Sequence, residues 1–579
     1  MVSTERLGQH LPTVLYYFCD YREESKSSTI GLLKSLLGQL LLAYSTDGSV
    51  LDVFALASRD SSSAGASSIV ELLQLLRLAT RLIPKSCYIV IDGVDECERG
   101  DRQRDIIQPL SELAIMSDSV KVLILSRPCD IMVKGILSKH PSITLSAEHT
   151  SGDIRLYVSS HIEKIFELGL DQSSPSPKLT KSDVTDRLTI GSNGMFLWAR
   201  LMVKLLESPA LFPSQRDEII RSVRSPEGIE TLYSRILKNV SRRRAHERNM
   251  AAKAFTWLTY SGVTLTAPEL EAALVPDGAR SPQSIINFPA VIQWVSGDLI
   301  EISGGNFPNQ PIWHLWQVSN INPGSRCQFI HRSVEEHIKQ VSTEGRHSFD
   351  LILNEEKSRL SIAITCLEYM LRTVQSGPLS GALRQRARLS DINIRYPLLR
   401  YSSGWFLVQS HAISMLCPKD GCGDLTARLF SSVERFVNQR EVIMTWVEAF
   451  FLYRHNWEPA HLSSLSNLAG YLAIQVSSSD ILRSEIDIVK STIEFCSLLK
   501  TIWDEFRQVL WEDSHEIWTG LTDYLPGRTI LNPRERVVKC IPEPPVQQDF
   551  SWGISPLLSI SETSHDGQSV SSASLWVPK

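Results

Sequence analysis

Three nearly uninterrupted apolar runs mark the first part of the chain. Residues 14–18 read Val-Leu-Tyr-Tyr-Phe, residues 87–91 read Cys-Tyr-Ile-Val-Ile, and residues 120–125 read Val-Lys-Val-Leu-Ile-Leu. Short runs rich in β-branched and aromatic residues predict strands. Because polar residues scarcely alternate with the apolar ones, we expect these strands to be buried on both faces, as in a parallel sheet. Residues 143–145, Ile-Thr-Leu, predict a further short strand.

Helical periodicity fills the intervals between these strands. Leucines recur three and four positions apart across residues 29–44, which predicts an amphipathic helix. A Ser/Ala/Gly-rich loop over residues 61–68 leads to a second apolar helix over residues 69–82. Thr150 followed by Asp153 is a capping-box pattern, so a further helix is expected to begin there. Strands that alternate with helices at this spacing predict an α/β domain with a mostly parallel sheet.

Beyond a Ser-, Pro- and Lys-rich loop at residues 171–182, the strand signal fades. Helical patterns dominate residues 185–273, a mixed patch covers residues 291–330, and a long helical region occupies residues 355–524. The remaining segment is rich in proline and then in serine, a composition that predicts poor order.

Composition and charge exclude several classes of protein. At 579 residues the chain is too long for one ordinary core, and about two to four domains are expected. The net charge of -5 gives no sign of a specific nucleic-acid partner, and the cluster Arg242, Arg243, Arg244 and Arg248 is interpreted as a solvated helix face. The ten cysteines form no CxxC pair, which favours reduced thiols in the cytoplasm over disulfides or a zinc site. No signal peptide or bilayer-length apolar stretch is visible, so no membrane partner is expected.

The strongest candidate for chemistry is the acidic turn after the second predicted strand. Asp92 ends the apolar run, and Asp95 and Glu96 follow one turn later. A carboxylate at the C-terminal end of a buried strand lies where open α/β sheets bind ligands. In phosphate-transfer sites such an Asp orients the magnesium shell, and a following acid can polarise the attacking water. The alternative is a strand that simply ends in an acidic, solvated turn.

A cation follows the third predicted strand. Ser126, Arg127 and Pro128 come directly after it, so Arg127 would reach the same edge of the sheet and could face a γ-phosphate. The alternative is an arginine that closes the strand end and pairs with surface acids.

In order and spacing, these runs resemble the NACHT domain of fungal STAND signalling proteins, which is also described as nephrocystin-3-like. The matching segments lie, in chain order, at residues 15–22, 92–97, 125–128, 194–201, 232–237, 264–270, 329–334, 366–370 and 396–399. The first three resemble the family's core, the fourth its helical subdomain, the next three its winged-helix region and the last two its linker helices. The resemblance covers residues 12–412 and, more loosely, the helices up to residue 524.

This resemblance implies a role for each matching residue. Asp92 corresponds to the Walker B Asp associated with magnesium, and Asp95 and Glu96 correspond to the acids associated with hydrolysis. Arg127 corresponds to the sensor Arg, and His331 to the winged-helix His that contacts the nucleotide phosphates and holds the closed state. ATP or ADP with Mg²⁺ are the implied cofactors. The alternative for His331 is a hydrogen-bonded core residue.

The family's defining phosphate loop is missing from the chain. That loop is a Gly-rich turn with GK[ST], whose backbone N–H groups and Lys hold the phosphates at a helix N-terminus, and no such sequence occurs in the chain. We therefore expect nucleotide binding to be weak or absent and hydrolysis to be defective. In the family, the lost first strand lies beside the strand that delivers Arg127. Its absence predicts direct pairing of strands 120–125 and 143–145, or a gap filled by another segment.

The expected fold is an α/β, P-loop-NTPase-like parallel sheet lacking its first strand, followed by mostly α-helical and winged-helix domains. We expect truncation before the phosphate loop and before the C-terminal repeats of the relatives, with no effector domain ahead. The expected regions are a partial NACHT core, a helical subdomain, a winged-helix region, a helical linker region and a Pro/Ser-rich, poorly ordered tail, at residues 1–168, 183–222, 223–345, 355–525 and 526–579.

Three hypotheses about function remain open on the sequence. The first is a signalling or scaffold protein derived from a STAND switch, which by resemblance would act in fungal self/non-self recognition or cell death without hydrolysing nucleotide. The second is an active NACHT ATPase represented by an N-terminally truncated gene model. The third is a helical protein-interaction adaptor with no nucleotide role. The expected partners are proteins bound through the helical region, and a homo-oligomer is a further expectation.

Overall fold

A computed structural model gives the fold of the chain. It contains two compact units, Met1–Gly152 with Gly262–Thr264, and Asp153–Ser261 with Leu265–Lys579. The residues that the structure describes are 12–19, 28–60, 68–83, 86–96, 101–117, 119–127, 138, 140–170, 177–209, 211–274, 285, 287–303, 325–344, 354–383, 385–415, 423–455, 483–527, 529–533, 539–540, 558–563 and 569–575.

The first unit is built on three parallel strands in the order β1–β2–β3. β1 is Thr13–Phe18, β2 is Cys87–Asp92 and β3 is Val120–Leu125. Each strand pairs with the next along its whole length without a register shift. The three strands predicted from the apolar runs, and their parallel arrangement, are confirmed.

Four helices connect these strands, and two of them begin at a capping serine. Ser28 accepts a hydrogen bond from the Gly31 N–H at the start of α1, and Ser68 forms a capping box with Glu71 at the start of α3. The leucines of α1 and α3 pack with β2 in one buried cluster. The helices predicted over residues 29–44 and 69–82 are confirmed. The four are α1 (Thr29–Ala43), α2 (Gly48–Asp60), α3 (Ile69–Leu82) and α4 (Asp101–Met116).

In the part of the chain that the structure describes, one face of this sheet is covered and the other is open. Leu15 and Ile89 are 1% and 0% exposed, whereas the alternate residues Tyr16 and Phe18 are 55% and 62% exposed. The expectation that these strands are buried on both faces is therefore wrong. The connections from β1 to β2 and from β2 to β3 both move one strand across the sheet in the same direction. Because such crossovers are right-handed, their helices lie on the same face of the sheet.

The short strand expected at residues 143–145 is not formed. Residues 141–146 are irregular, and the side chains of Ile143 and Leu145 are 90% and 74% exposed. Since these side chains bury almost no surface, they supply no hydrophobic drive for strand pairing. None of the described strands pairs with the outer edge of β3, so of the two expected arrangements the direct pairing between β3 and residues 143–145 is wrong, and the gap filled by another segment stays a prediction.

Helix α5 (Ala147–Glu167) begins ahead of the Thr150 pattern that was expected to start it. At its start the side chain of His149 reaches back to Ser146, whose backbone N–H and hydroxyl both contact Nδ1 of His149, at 3.1 and 2.7 Å.

Three helices follow α5 in the second unit, and a buried arginine lies among them. Trp198 is 0% exposed and Arg216 is 1% exposed, and the guanidinium of Arg216 bonds only to backbone carbonyls among its described partners. These helices are α6 (Lys181–Ser192), α7 (Phe196–Leu206) and α8 (Pro213–Ser222).

A small antiparallel sheet comes next, in the order β4–β6–β5. β4 is Leu265–Thr266, β5 is Ile300–Ser303 and β6 is Arg326–Phe329, so the mixed patch expected at residues 291–330 contains two of its strands. The helices of this region are α9 (Ile229–Ser241), α10 (Ala245–Tyr260), α11 (Ala267–Leu274), α12 (Phe288–Ser296) and α13 (Arg332–Glu344).

The following region is helical and packs directly against the small sheet's helices. The guanidinium of Arg400 donates two hydrogen bonds to the carboxylate of Glu269, at 2.7 and 3.0 Å, and the Tyr401 hydroxyl donates to the Ser261 carbonyl at 2.8 Å. Both regions therefore lie in one unit. The helices are α14 (Glu355–Arg372), α15 (Leu389–Arg395), α16 (Leu399–Met415), α17 (Gly423–Val437), α18 (Arg440–Leu452), α19 (Arg483–Glu512) and α20 (Glu516–Thr519).

The Pro/Ser-rich tail, for which the sequence predicts poor order, contains three antiparallel strands. They are β7 (Lys539–Cys540), β8 (Leu558–Thr563) and β9 (Ser569–Leu575). Across the described residues, no helix combines the length and the low polarity that crossing a membrane requires.

Candidate functional site

The candidate site lies at the C-terminal edge of the parallel sheet, where three strand ends meet. Asp92 is the last residue of β2, and it lies opposite Phe18 of β1 and Leu125 of β3. The Asp92 carbonyl accepts a hydrogen bond from the Cys19 N–H at 2.9 Å, and the Gly93 N–H donates to the Leu125 carbonyl at 3.1 Å. The backbone at this edge is therefore held on both sides of β2, while the Asp92 side chain is exposed.

A sharp turn after Asp92 carries the next acid back toward β3. Gly93 has φ 74°, a left-handed conformation that glycine adopts without steric cost. The chain then enters a single 3₁₀ turn, Val94–Glu96, which is anchored by the fully buried side chain of Val94. Asp95 is consequently placed beside the end of β3. Glu96 lies on the same 3₁₀ turn, and its side chain is outside the described set.

Asp95 and Arg127 bind each other. One carboxylate oxygen of Asp95 accepts the Arg127 backbone N–H at 3.1 Å and the Ser126 hydroxyl at 3.3 Å. The other carboxylate oxygen lies 3.4 Å from Nε of Arg127. The two side chains are 19% and 43% exposed, so the ion pair itself is worth about 1 kcal/mol or less. Its main effect is to hold the strand end of β3 against the turn after β2.

Four of the five predicted site residues thus lie at one sheet edge, namely Asp92, Asp95 and Arg127 with their side chains described and Glu96 by its backbone. The alternative stated for Arg127, an arginine that closes a strand end and pairs with an acid, describes the observed contacts. The contribution of Ser126 was not foreseen, although a hydroxyl directly after a strand and next to the Arg was a signal that could have indicated it.

His331 belongs to the second unit, where it starts helix α13. Its Nδ1 accepts a hydrogen bond from the Ser333 backbone N–H at 3.1 Å and contacts the Ser333 hydroxyl at 2.7 Å. That hydroxyl also contacts the hydroxyl of Tyr233 at 2.7 Å. Because Nδ1 accepts from a backbone N–H, the neutral imidazole carries its proton on Nε2. His331 therefore acts as a cap for α13 and is half-buried.

Among the described residues at the sheet edge, Asp92 and Asp95 are the carboxylates that could face a magnesium ion. Asp92 is one exposed carboxylate, and Asp95 is already bound to Arg127. Magnesium sites in nucleotide enzymes rely on one or two protein oxygens together with phosphates that are themselves held by the protein. Within the described ranges, no group of three or more His, Cys, Asp or Glu side chains is arranged to hold a metal ion. The GK[ST] sequence that would hold the phosphates does not occur in the chain.

The fold and the edge together define a small parallel α/β unit, with acids at its C-terminal edge, followed by a mostly helical unit. Residues 2–127 match the family model described as Nephrocystin 3, N-terminal. That segment contains β1 to β3 with Asp92, Asp95, Glu96 and Arg127, so the nephrocystin-3-like character expected for this part of the chain is confirmed. No curated protein matches the chain.

Proposed function

We propose that the chain is a signalling or scaffold protein of the NACHT/STAND type that is defective in nucleotide binding and hydrolysis. The observation that carries the proposal is the combination of a matching acidic sheet edge with an Arg127 that is bound to Asp95. In an ATPase site, that cation and that acid would face phosphate and water, respectively. Here they satisfy each other, and no GK[ST] loop occurs in the chain to bring a phosphate between them.

The second unit supports the same assignment. Helices α9 to α13 with the β4–β6–β5 sheet have the mixed helix and strand order of a winged-helix region, followed by the helices α14 to α20 that a linker region would supply. From the sequence resemblance and this layout together, we infer a P-loop-NTPase-type ancestry and a relationship to fungal STAND proteins. We infer further a role in self/non-self recognition or cell death, exerted through protein partners.

Titration calorimetry with the full chain tests the loss of nucleotide binding. ATP and ADP, each with and without Mg²⁺, are titrated into the protein. We expect no saturable heat up to roughly 1 mM nucleotide, which corresponds to a binding free energy weaker than about -4 kcal/mol. Magnesium-dependent binding in the low micromolar range would refute the proposal and favour the active ATPase. A GK[ST] codon run directly upstream of Met1 in the transcript would do the same.

Two substitutions separate the proposal from a helical adaptor that never used nucleotide. The adaptor hypothesis expects Asp92→Ala and His331→Ala to change nothing except stability. Capture of protein partners is compared between each variant and the original chain at matched far-UV circular dichroism. A change in partner capture without unfolding would contradict the adaptor hypothesis and support a site that still communicates with the helical unit.

A further inference from the structure

The outer edges of β1 and β3 differ in how far their backbone groups are hydrogen-bonded. At the outer edge of β1, the side-chain amide of Gln39 accepts the Tyr16 backbone N–H at 3.0 Å and donates to the Tyr16 carbonyl at 2.7 Å. Gln39 thus occupies the backbone groups of Tyr16, the central one of the three β1 residues whose backbone faces outward, which obstructs strand addition at that edge. The structure contains no described strand or side chain that does the same at the outer edge of β3.

The outward backbone groups of β3 belong to Val120, Val122 and Ile124, and the Val120 N–H already donates to the Ser117 carbonyl at 3.1 Å. The Leu125 and Ser119 carbonyls point toward β2, where they accept the N–H groups of Gly93 and Cys87. Because backbone groups alternate in direction along a strand, those of Val122 and Ile124 point away from the sheet. An unpaired N–H and carbonyl at each of these residues form a template for an added strand.

Beside this edge lies the open face of the sheet, formed by alternate residues of the strands from Val14, Tyr88 and Lys121 onward. It is apolar apart from Asp92 and Lys121, and Leu123 and Leu125 are 55% and 42% exposed. The strand register places Asp92 in the last row of the face, next to Leu125. It places Lys121 in the first row, next to Tyr88. The face therefore carries one negative and one positive charge at opposite ends of an apolar surface.

We propose that β3 pairs with β3 of a second copy of this chain, in an antiparallel arrangement about a two-fold axis at Leu123. In that register Val122 of each copy lies opposite Ile124 of the other, so the four outward backbone groups of these two residues find partners. Lys121 of one copy then lies in the same row as Asp92 of the other. Two strand spacings, about 10 Å, separate their backbones, a distance that the two side chains can bridge.

Symmetry explains why a second copy fits better than an open-ended stack. A two-fold pairing uses the same edge in both copies and closes after two chains. The far edges of the resulting six-stranded sheet are both β1, and each is occupied by Gln39. The two open faces join into one surface with Leu123 against Leu123 at its centre. Nothing in this arrangement depends on nucleotide, so it can fail or hold independently of the function proposed above.

Sedimentation velocity of the full chain, from about 1 µM to about 100 µM, tests the proposal, because a specific dimer of micromolar affinity would populate both states in that range. We expect a concentration-dependent dimer. Leu123→Glu is expected to weaken it at least tenfold, since two like charges would then face each other about 5 Å apart at the axis. The matched control is Leu42→Glu, on α1, where the leucine is 76% exposed, and it should leave the dimer intact.

A charge exchange makes the test specific for the register. Lys121→Asp alone and Asp92→Lys alone should each weaken the dimer, whereas the double variant should restore it. Hydrogen exchange should show the Val122 and Ile124 amides protected in the dimer and exchanging on dilution. A monomer at every concentration overturns the proposal, and if those amides are protected in that monomer, another segment of the same chain covers β3. A dimer that Leu42→Glu disrupts as strongly as Leu123→Glu also overturns it.

Discussion

Replacing Arg216 with alanine should destabilise the second unit strongly. All five N–H bonds of its guanidinium reach backbone carbonyls, and the side chain is 1% exposed. Nε donates to Leu206 at 2.7 Å, one terminal nitrogen donates to Leu168 and Gly169 at 3.1 and 2.8 Å, and the other donates to Ser208 and Leu211 at 3.2 and 3.3 Å. Four of these carbonyls lie at or just beyond the C-terminal ends of α5 and α7, where helix dipoles favour a cation.

The magnitude follows from what removal leaves behind. A hydrogen bond to a charged group contributes about 1.5–3 kcal/mol, so a simple sum over five bonds would far exceed a measurable value. Burial lowers the pKa of the Arg216 guanidinium, which shows that desolvation offsets part of that sum. Removal of the guanidinium leaves buried carbonyls without a donor, each at a cost of about 1–3 kcal/mol, and we expect Arg216→Ala to cost at least about 3 kcal/mol in total. Arg216→Lys keeps the charge but loses the planar fork, so an intermediate loss is expected.

Urea unfolding of the full chain, followed by tryptophan fluorescence, measures the effect, with hydrogen exchange of peptides covering residues 147–222 to localise it. Arg155→Ala is the matched control, because Arg155 is 52% exposed and pairs with Asp186 at the surface. It should cost less than about 1 kcal/mol. If Arg216→Ala costs no more than Arg155→Ala, the five carbonyl contacts do not stabilise the helix ends as argued.

Two further predictions concern packing and pH. Gly191→Ala in α6 should lower the free energy of unfolding by about 1–3 kcal/mol in urea, because an added Cβ would lie 2.8 Å from the ring of Trp198. The control is Gly38→Ala in α1, which meets open space and should raise the free energy of unfolding by up to about 1 kcal/mol. A stabilising Gly191→Ala would contradict the packing. Burial, aided by the charge of Arg400, lowers the pKa of His455 from 6.5 to about 4. Since the unfolded chain binds this proton at higher pH than the folded chain, about 2–3 kcal/mol of stability should be lost as pH falls from 6.5 to 4. His455→Gln should flatten that slope in thermal unfolding, and an unchanged slope would exclude His455 as its source.

The local pattern was sufficient to predict the elements of the first unit. Strands 14–18, 87–91 and 120–125 and the helices at 29–44 and 69–82 follow from runs and periods of apolar residues, and these signals are contained within each segment. The position of Asp92, Asp95 and Arg127 at one edge followed as well, because parallel strands bring their C-terminal ends together.

The tertiary structure decided what those elements and residues contact. A buried run does not reveal how many faces a sheet buries, since that depends on the direction of its crossovers, and the sheet is covered on one face. Residues 143–145 have the composition of a strand but no neighbour that buries them. Arg127 turned out to bind Asp95, and Arg216 to bind the carbonyls of Leu168 and Gly169, which lie close to it only in the folded chain. Composition and period are properties of the chain itself, whereas partners depend on which segments the fold brings within a few ångströms of each other.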